Sequence, residues 1–325
     1  MMLKRFLPKS GIDYLKPSIV VLFAVFIAIK APVFFTINNL ISVLSQGAVI
    51  GIASIGMSMV ILAGEIDISV GAMVYCTGVI ASELYLSTNN LIISTVAAVV
   101  CGGFFGLING FGVAKLKIPS LITTLSVCNI LSGLGSILIG SEGTLSAGER
   151  YKIIAQTKIL GLLSSAWIYI LLFLLFLIII RKTRFGRYIY AIGDNQDALR
   201  ACGIRADFTI IMIFVLTGML CGIGGLVNTS RLGGTQFNIS LGMEVYCIAA
   251  VVVGGISMSG GRGNVLGVFF GVFIVAALDN LLRLMGVNVY MYNVVWGIVI
   301  FGVVMIDILK KKQKARDLER QVFET

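Results

Sequence analysis

Long apolar runs, broken at intervals by short polar clusters, dominate the chain. A helix needs about 20 consecutive apolar residues to cross the hydrocarbon core of a bilayer. That window predicts ten spans, at 18–37, 42–63, 69–86, 91–113, 119–139, 161–180, 208–229, 240–257, 264–281 and 289–308. A polar break around Glu65 and Asp67 leaves a second option for residues 42–86, a single hairpin interrupted at its tip. The first span is long and lacks a small-residue cleavage site, which marks an anchor and not a removed signal peptide. The pattern predicts an all-α polytopic membrane protein.

Composition sharpens this picture. Of 325 residues, 58% are apolar and 12% charged, against about a quarter charged in a typical soluble domain. So few ionic groups cannot cover a soluble surface. The chain has no His, which excludes a Ser-His triad and His metal ligands. Its six Cys fall at 76, 101, 128, 202, 221 and 247, with no C-x-x-C pair. Five lie within apolar stretches, where a thiol behaves as a small hydrophobe.

The net charge of +10 first reports orientation, because Lys and Arg concentrate in cytoplasmic loops. Ten spans put both termini on one side. With the termini inside, 19 basic residues fall on the cytoplasmic side and 6 on the other, Arg231 and Arg283 among the six. The expected topology is therefore N-in and C-in.

The chain also resembles itself. Asp67-Ile-Ser-Val-Gly71-Ala-Met-Val-Tyr75-Cys76 recurs 171 residues later as Asn238-Ile-Ser-Leu-Gly242-Met-Glu-Val-Tyr246-Cys247. Gly51-Ile52 and Gly222-Ile223 share that offset, and Gly102-Gly-Phe-Phe-Gly106 returns as Gly267-Val-Phe-Phe-Gly271. Five spans separate the copies, an odd number, so they lie in opposite orientations. Inverted repeats characterise transporter folds, with the substrate path near the repeat interface. The Gly-x-x-x-Gly spacings are those of closely packed membrane helices. The expected layout is one transmembrane domain over 1–325, with inverted halves at 42–139 and 208–308. A cytoplasmic loop at 181–207 and a basic tail at 309–325 complete it.

Ionisable groups inside the spans are few. An intramembrane acid is a functional candidate by default, and Glu65, Asp67, Glu244 and Asp279 qualify, although each falls near a span end. Glu65, Asp67, Ser69 and Gly71 form the repeat's break motif. Neutral polar groups are more numerous. Gln46, Tyr75, Asn109, Thr124, Asn129, Asn228, Tyr246 and Asn280 are candidates for lining a path. Amides and hydroxyls both donate and accept, which suits a neutral hydroxyl-rich solute; the same groups also serve as hydrogen bonds between helices.

The loop from Arg181 to Arg205 holds one more element. Asp194 or Asn195 can cap a helix start, Asp197 suits its first turn, and Gly203 can take the left-handed stop. A helix of about two turns is too short to be stable alone, so it must pack on the membrane surface or on a partner. The chain contains no G-x-x-x-x-G-K-[ST] phosphate loop. If transport is ATP-driven, the ATPase is another polypeptide.

Four ordered stretches carry a resemblance. Gly64-Glu-Ile-Asp-Ile-Ser-Val-Gly71, Ile118-Pro-Ser-Leu-Ile-Thr-Thr-Leu125, Phe185-Gly-Arg-Tyr-Ile-Tyr-Ala-Ile-Gly193 with Asn195 and Ala198 to Ile204, and Val253-Gly-Gly-Ile-Ser-Met-Ser-Gly-Gly-Arg-Gly263 are each similar to motifs of one family. Over nearly its whole length the chain resembles the membrane-spanning permease subunit of bacterial sugar ABC importers of the ribose/xylose type. Glu65 stands where that family has Gly, and Leu199 where it tends to have a small residue.

The resemblance implies a permease subunit in the bacterial inner membrane, as a homodimer or paired with a paralogue. It implies a cytoplasmic ATPase that carries ATP and Mg, and an external sugar-binding protein. It assigns ATPase coupling to Arg187, Asp194, Asn195, Ala198, Leu199, Arg200 and Gly203. Solutes of the family include ribose, xylose, galactose, polyols and autoinducer-2. No cofactor, metal or catalytic group is expected in this chain. Two rivals stand beside this reading. An ion-coupled carrier would run without an ATPase, and a membrane enzyme would need a cluster of acids, His or Cys at one face.

Overall fold

A computed structural model describes residues 31–237, 239–288, 291–292, 294–299, 301–302 and 305. Nine helices carry the fold: α1 (Ile37–Leu62), α2 (Val70–Thr88), α3 (Leu91–Ala114), α4 (Ser120–Ile139), α5 (Ser164–Lys182), α6 (Arg184–Ala201), α7 (Ala206–Leu232), α8 (Met243–Val253) and α9 (Val265–Leu284). Seven are long and apolar enough to span a membrane; α6 and α8 are not among them. The described residues between 291 and 305 are also helical. The chain is a multi-pass membrane protein.

One expectation changes. The segment 240–257 holds only the 11-residue α8, which at 1.5 Å per residue rises about 16 Å, half of a hydrocarbon core of about 30 Å. Its start is delayed by Gly242, whose φ of +88° breaks any helix arriving from the N-terminal side. The expected first span, 18–37, lies mostly outside the described residues.

Helix starts follow from local chemistry. Thr36 caps α1 through its hydroxyl, Asn90 accepts from the Ile92 and Ile93 amides to open α3, and Asn264 accepts from Leu266 to open α9. Each satisfies amides that a helix end otherwise leaves bare.

Helix contacts are organised around α1 and α7. Helix α7 packs on α1, α2 and α3, while α1 packs on α7, α8 and α9; α2 lies against α3 as α8 lies against α9. Glycine makes the closest of these crossings possible. A Cβ on Gly102 would run into the Gly218 carbonyl, one on Gly106 into the Phe214 carbonyl, and one on Gly267 into the Gly254 carbonyl. Without side chains the backbones approach closely, and dispersion takes the role that the hydrophobic effect plays in water.

The segment between α4 and α5 is structured. Strand β1 (Thr144–Ser146) is followed by the hairpin β2 (Lys158–Ile159) and β3 (Leu162–Leu163), and β1 pairs antiparallel with β4 (Gly234–Gln236) just past α7. Tyr151 shares a 3.0 Å hydrogen bond with Thr229, and Gln156 donates to the Arg231 carbonyl at 2.7 Å. This cover seals the end of α7 opposite α6.

Candidate translocation site

The two repeat motifs meet inside the bundle. Between α1 and α2, Asp67 is fully buried and accepts from the Ser69 amide at 2.8 Å and the Ser69 hydroxyl at 2.6 Å. Asn109 of α3 donates to that hydroxyl at 2.7 Å. The neighbouring amides are met from α4, Ile66 by the Ser120 hydroxyl and Ile68 by the Thr124 hydroxyl. Irregular backbone at membrane depth survives only where protein satisfies it in this way. Gly71, at the start of α2, faces the second motif: a Cβ there would meet the Glu244 carboxylate and lie 2.6 Å from the Ser240 carbonyl.

A cavity of about 250 Å³ opens beside this junction, on the side away from α6. At about 30 Å³ per water it has room for about eight. Gln46 of α1, Asn228 and Arg231 of α7, and Ser240 and Tyr246 of the second motif line it. Asn228 donates to the Ser240 hydroxyl at 3.1 Å, and the Tyr246 ring stands edge-on to Trp296 at 4.8 Å. From α9 come Asp279 and Arg283, paired at 2.8 Å across one helical turn.

Of the expected path residues, Gln46, Asn228 and Tyr246 reach the cavity. The others go elsewhere. Tyr75 is buried against Gly135 of α4. Asn109 and Thr124 hold the α1–α2 break. Asn280 accepts from Asn39 at 2.9 Å. Asn129 lies exposed on α4, bonded to the Leu125 carbonyl. Arg231, Ser240 and Arg283 were not among the expected path residues, whereas Asp279 was one of the acids expected as functional candidates. The two arginines had a visible signal, charge at a span end, which reads as topology when taken one residue at a time.

At the opposite end, α6 bends at Asn195, whose φ of −159° and ψ of 100° leave the helix. The Asn195 carboxamide accepts from the Ala198 amide at 2.9 Å and so caps a short second segment. Gly203, at φ +76°, ends it in the left-handed region. The stretch before Asn195 is helical as well, which the sequence reading left as loop. Arg187, Asp194, Asn195, Ala198, Arg200 and Gly203 are exposed, whereas Leu199 is buried and anchors the segment. Arg200 pairs with Asp207 at 2.8 Å and Asp197 at 3.5 Å.

Helix α6 is seated against the end of α1 and the turn between α8 and α9. The Gly261 amide donates to the Leu62 carbonyl at 2.8 Å, and Gly193 lies against both. Tyr190 donates to the Gly263 carbonyl at 3.1 Å, and burial pushes its phenol pKa up, which keeps the donor protonated.

Comparison with known proteins assigns the chain. A family model described as branched-chain amino acid transport system / permease component matches residues 39–305. A ribose import permease protein of Escherichia coli (strain K12) is 34% identical over 91% of this chain and 92% of its own length. A probable ABC transporter permease protein of the same strain is 35% identical over 92% and 90%. An L-arabinose ABC transporter permease protein of Azospirillum brasilense is 31% identical over 90% and 86%. No solved structure gives a significant match. With a cavity at one end of the bundle, a helix seated at the other and matches along nearly its whole length, the chain belongs to this family of transport-system permease components.

Proposed function

We propose that this chain is the transmembrane permease subunit of an ATP-driven importer in the bacterial inner membrane, and that its solute is a monosaccharide or related polyol. The observation that carries the solute class is the near full-length similarity to ribose and L-arabinose permeases. The family description names branched-chain amino acids; the cavity mixes apolar side chains, among them Val49, Ile50 and Leu241, with amide, hydroxyl and guanidinium groups that suit a hydroxylated solute.

The architecture behind this reading is ten spans with inverted halves at 42–139 and 208–308. Exchanging α1 with α7, α2 with α8 and α3 with α9 carries the helix contacts onto one another, which supports the repeat. Both termini are cytoplasmic in this scheme, α6 within the 181–207 loop faces the cytoplasm, the tail 309–325 follows, and the cavity opens outward. A cytoplasmic ATPase binding ATP and Mg docks on Arg187, Asp194, Asn195, Ala198, Arg200 and Gly203. A second permease and an external sugar-binding protein complete the assembly. Closure of the ATPase pair pushes α6 against Leu62 and Gly261, and so moves both repeat motifs together.

The test is purification from native membranes in mild detergent, with mass spectrometry of what accompanies the chain. A co-purifying P-loop ATPase is expected. A chain that emerges alone and takes up sugar into vesicles without ATP would overturn the reading.

A further inference from the structure

The cavity's charges do not balance. Its lining includes two guanidinium groups, Arg231 and Arg283, and one carboxylate, Asp279. Asp279 is already engaged by Arg283 at 2.8 Å, and Arg283 is largely exposed to solvent. Arg231 pairs with no carboxylate among the described residues, and its Nε is buried without an acceptor. A buried donor left unmatched is costly, and a charged one more so. Arg231 sits in the last turn of α7, where the helix carbonyl end favours a cation. The helix thus accounts for a positive charge here, but not for a buried Nε without an acceptor.

We propose that the cavity takes an acidic sugar or polyol, one bearing a carboxylate or phosphate, and that Arg231 is the residue that binds its anionic group. The inference rests on the sugar-importer reading above and narrows it. A guanidinium presents donors in a planar fork that matches a carboxylate or phosphate two bonds at a time. Gln46, Tyr246 and the Asn228–Ser240 pair sit around the same cavity with groups suited to hydroxyls. The Arg283–Asp279 pair on the facing wall keeps the remaining local charge neutral. One net positive charge then meets one negative charge. A neutral sugar would leave Arg231 without its charged partner.

The test uses the full chain in neutral phosphatidylcholine nanodiscs, in buffer free of phosphate and carboxylates. Saturation-transfer NMR suits weak binding, and the probes are D-ribose, D-ribonate, D-ribose 5-phosphate and L-leucine. Charge-assisted bonds are roughly twice as strong as neutral ones, so at least one anionic sugar should bind about tenfold more tightly than ribose, and which one distinguishes carboxylate from phosphate. Added NaCl should erode that preference. Arg231→Gln should abolish it and Arg231→Lys should keep part of it. The salt series on the unaltered chain decides the matter if the variants do not fold. Equal binding of ribose and the anionic sugars, or no binding of any probe, would overturn the inference and leave the importer reading standing. Preference for leucine over every sugar would overturn both.

Discussion

Gly193 of α6 lies against the Leu62 carbonyl at the end of α1, the same oxygen that accepts from Gly261. One carbonyl thus joins three segments: the end of α1, the middle of α6 and the turn between α8 and α9. There is no space for a side chain between them. Gly193→Val should break the Gly261 bond, and overpacking of this kind costs about 1–3 kcal/mol. A lower thermal unfolding temperature and lost uptake are the expected readings; an unchanged variant would mean that α6 is not seated there.

Arg200 and Gly203 test the proposed coupling role. Arg200 makes only partly exposed ion pairs, which are worth about 0–1 kcal/mol. Arg200→Ala should therefore fold normally while raising the ATP hydrolysed per solute imported in the reconstituted complex. Gly203→Val places a branched side chain at φ +76°, which costs about 1–2 kcal/mol, and should uncouple in the same way. Normal transport by both variants would remove the coupling assignment.

Ser69 bridges Asp67 and Asn109, donating a hydrogen bond to the first and accepting one from the second. Ser69→Ala removes both bonds without changing the packing volume much. The buried groups left behind should cost about 1–3 kcal/mol, read as a fall in unfolding temperature with the secondary structure unchanged by circular dichroism.

Two glycine substitutions should diverge. At Gly106 a Cβ strikes the Phe214 carbonyl, so Gly106→Ala should force α3 away from α7 and lower the yield of monodisperse protein. Gly133, on the exposed face of α4, has nothing within 4 Å. Gly133→Ala should be neutral or stabilising by up to about 1 kcal/mol from helix propensity. Size-exclusion profiles of the two variants give the comparison.

The sequence carried most of the helices, because runs of apolar residues report lipid-crossing segments directly. It also carried the Asn195 cap and the Gly203 stop, since both depend on chemistry within a few residues. Helix α8 was overextended by a few residues at each end, where the left-handed Gly242 and Gly255 mark its limits. The β1–β4 pairing joins residues about ninety positions apart, a relationship with no local signature. The cavity was half legible for the same reason. Gln46, Asn228 and Tyr246 were visible as polar residues in apolar runs and Asp279 as an acid near a span end, but Arg231 gained meaning only when α7 and α9 were brought to one cavity.

The shortness of α8 sets how far a solute has still to go. Met243 and Tyr246, on its first two turns, already line the cavity, so with the outward orientation proposed above a molecule resting there would lie within the bundle. What remains beneath it is a septum no thicker than α8 itself, about 16 Å by helix rise. In the proposed importer that partition would carry the seal against leakage of ions and small solutes, and displacement of one short helix would open or shut it.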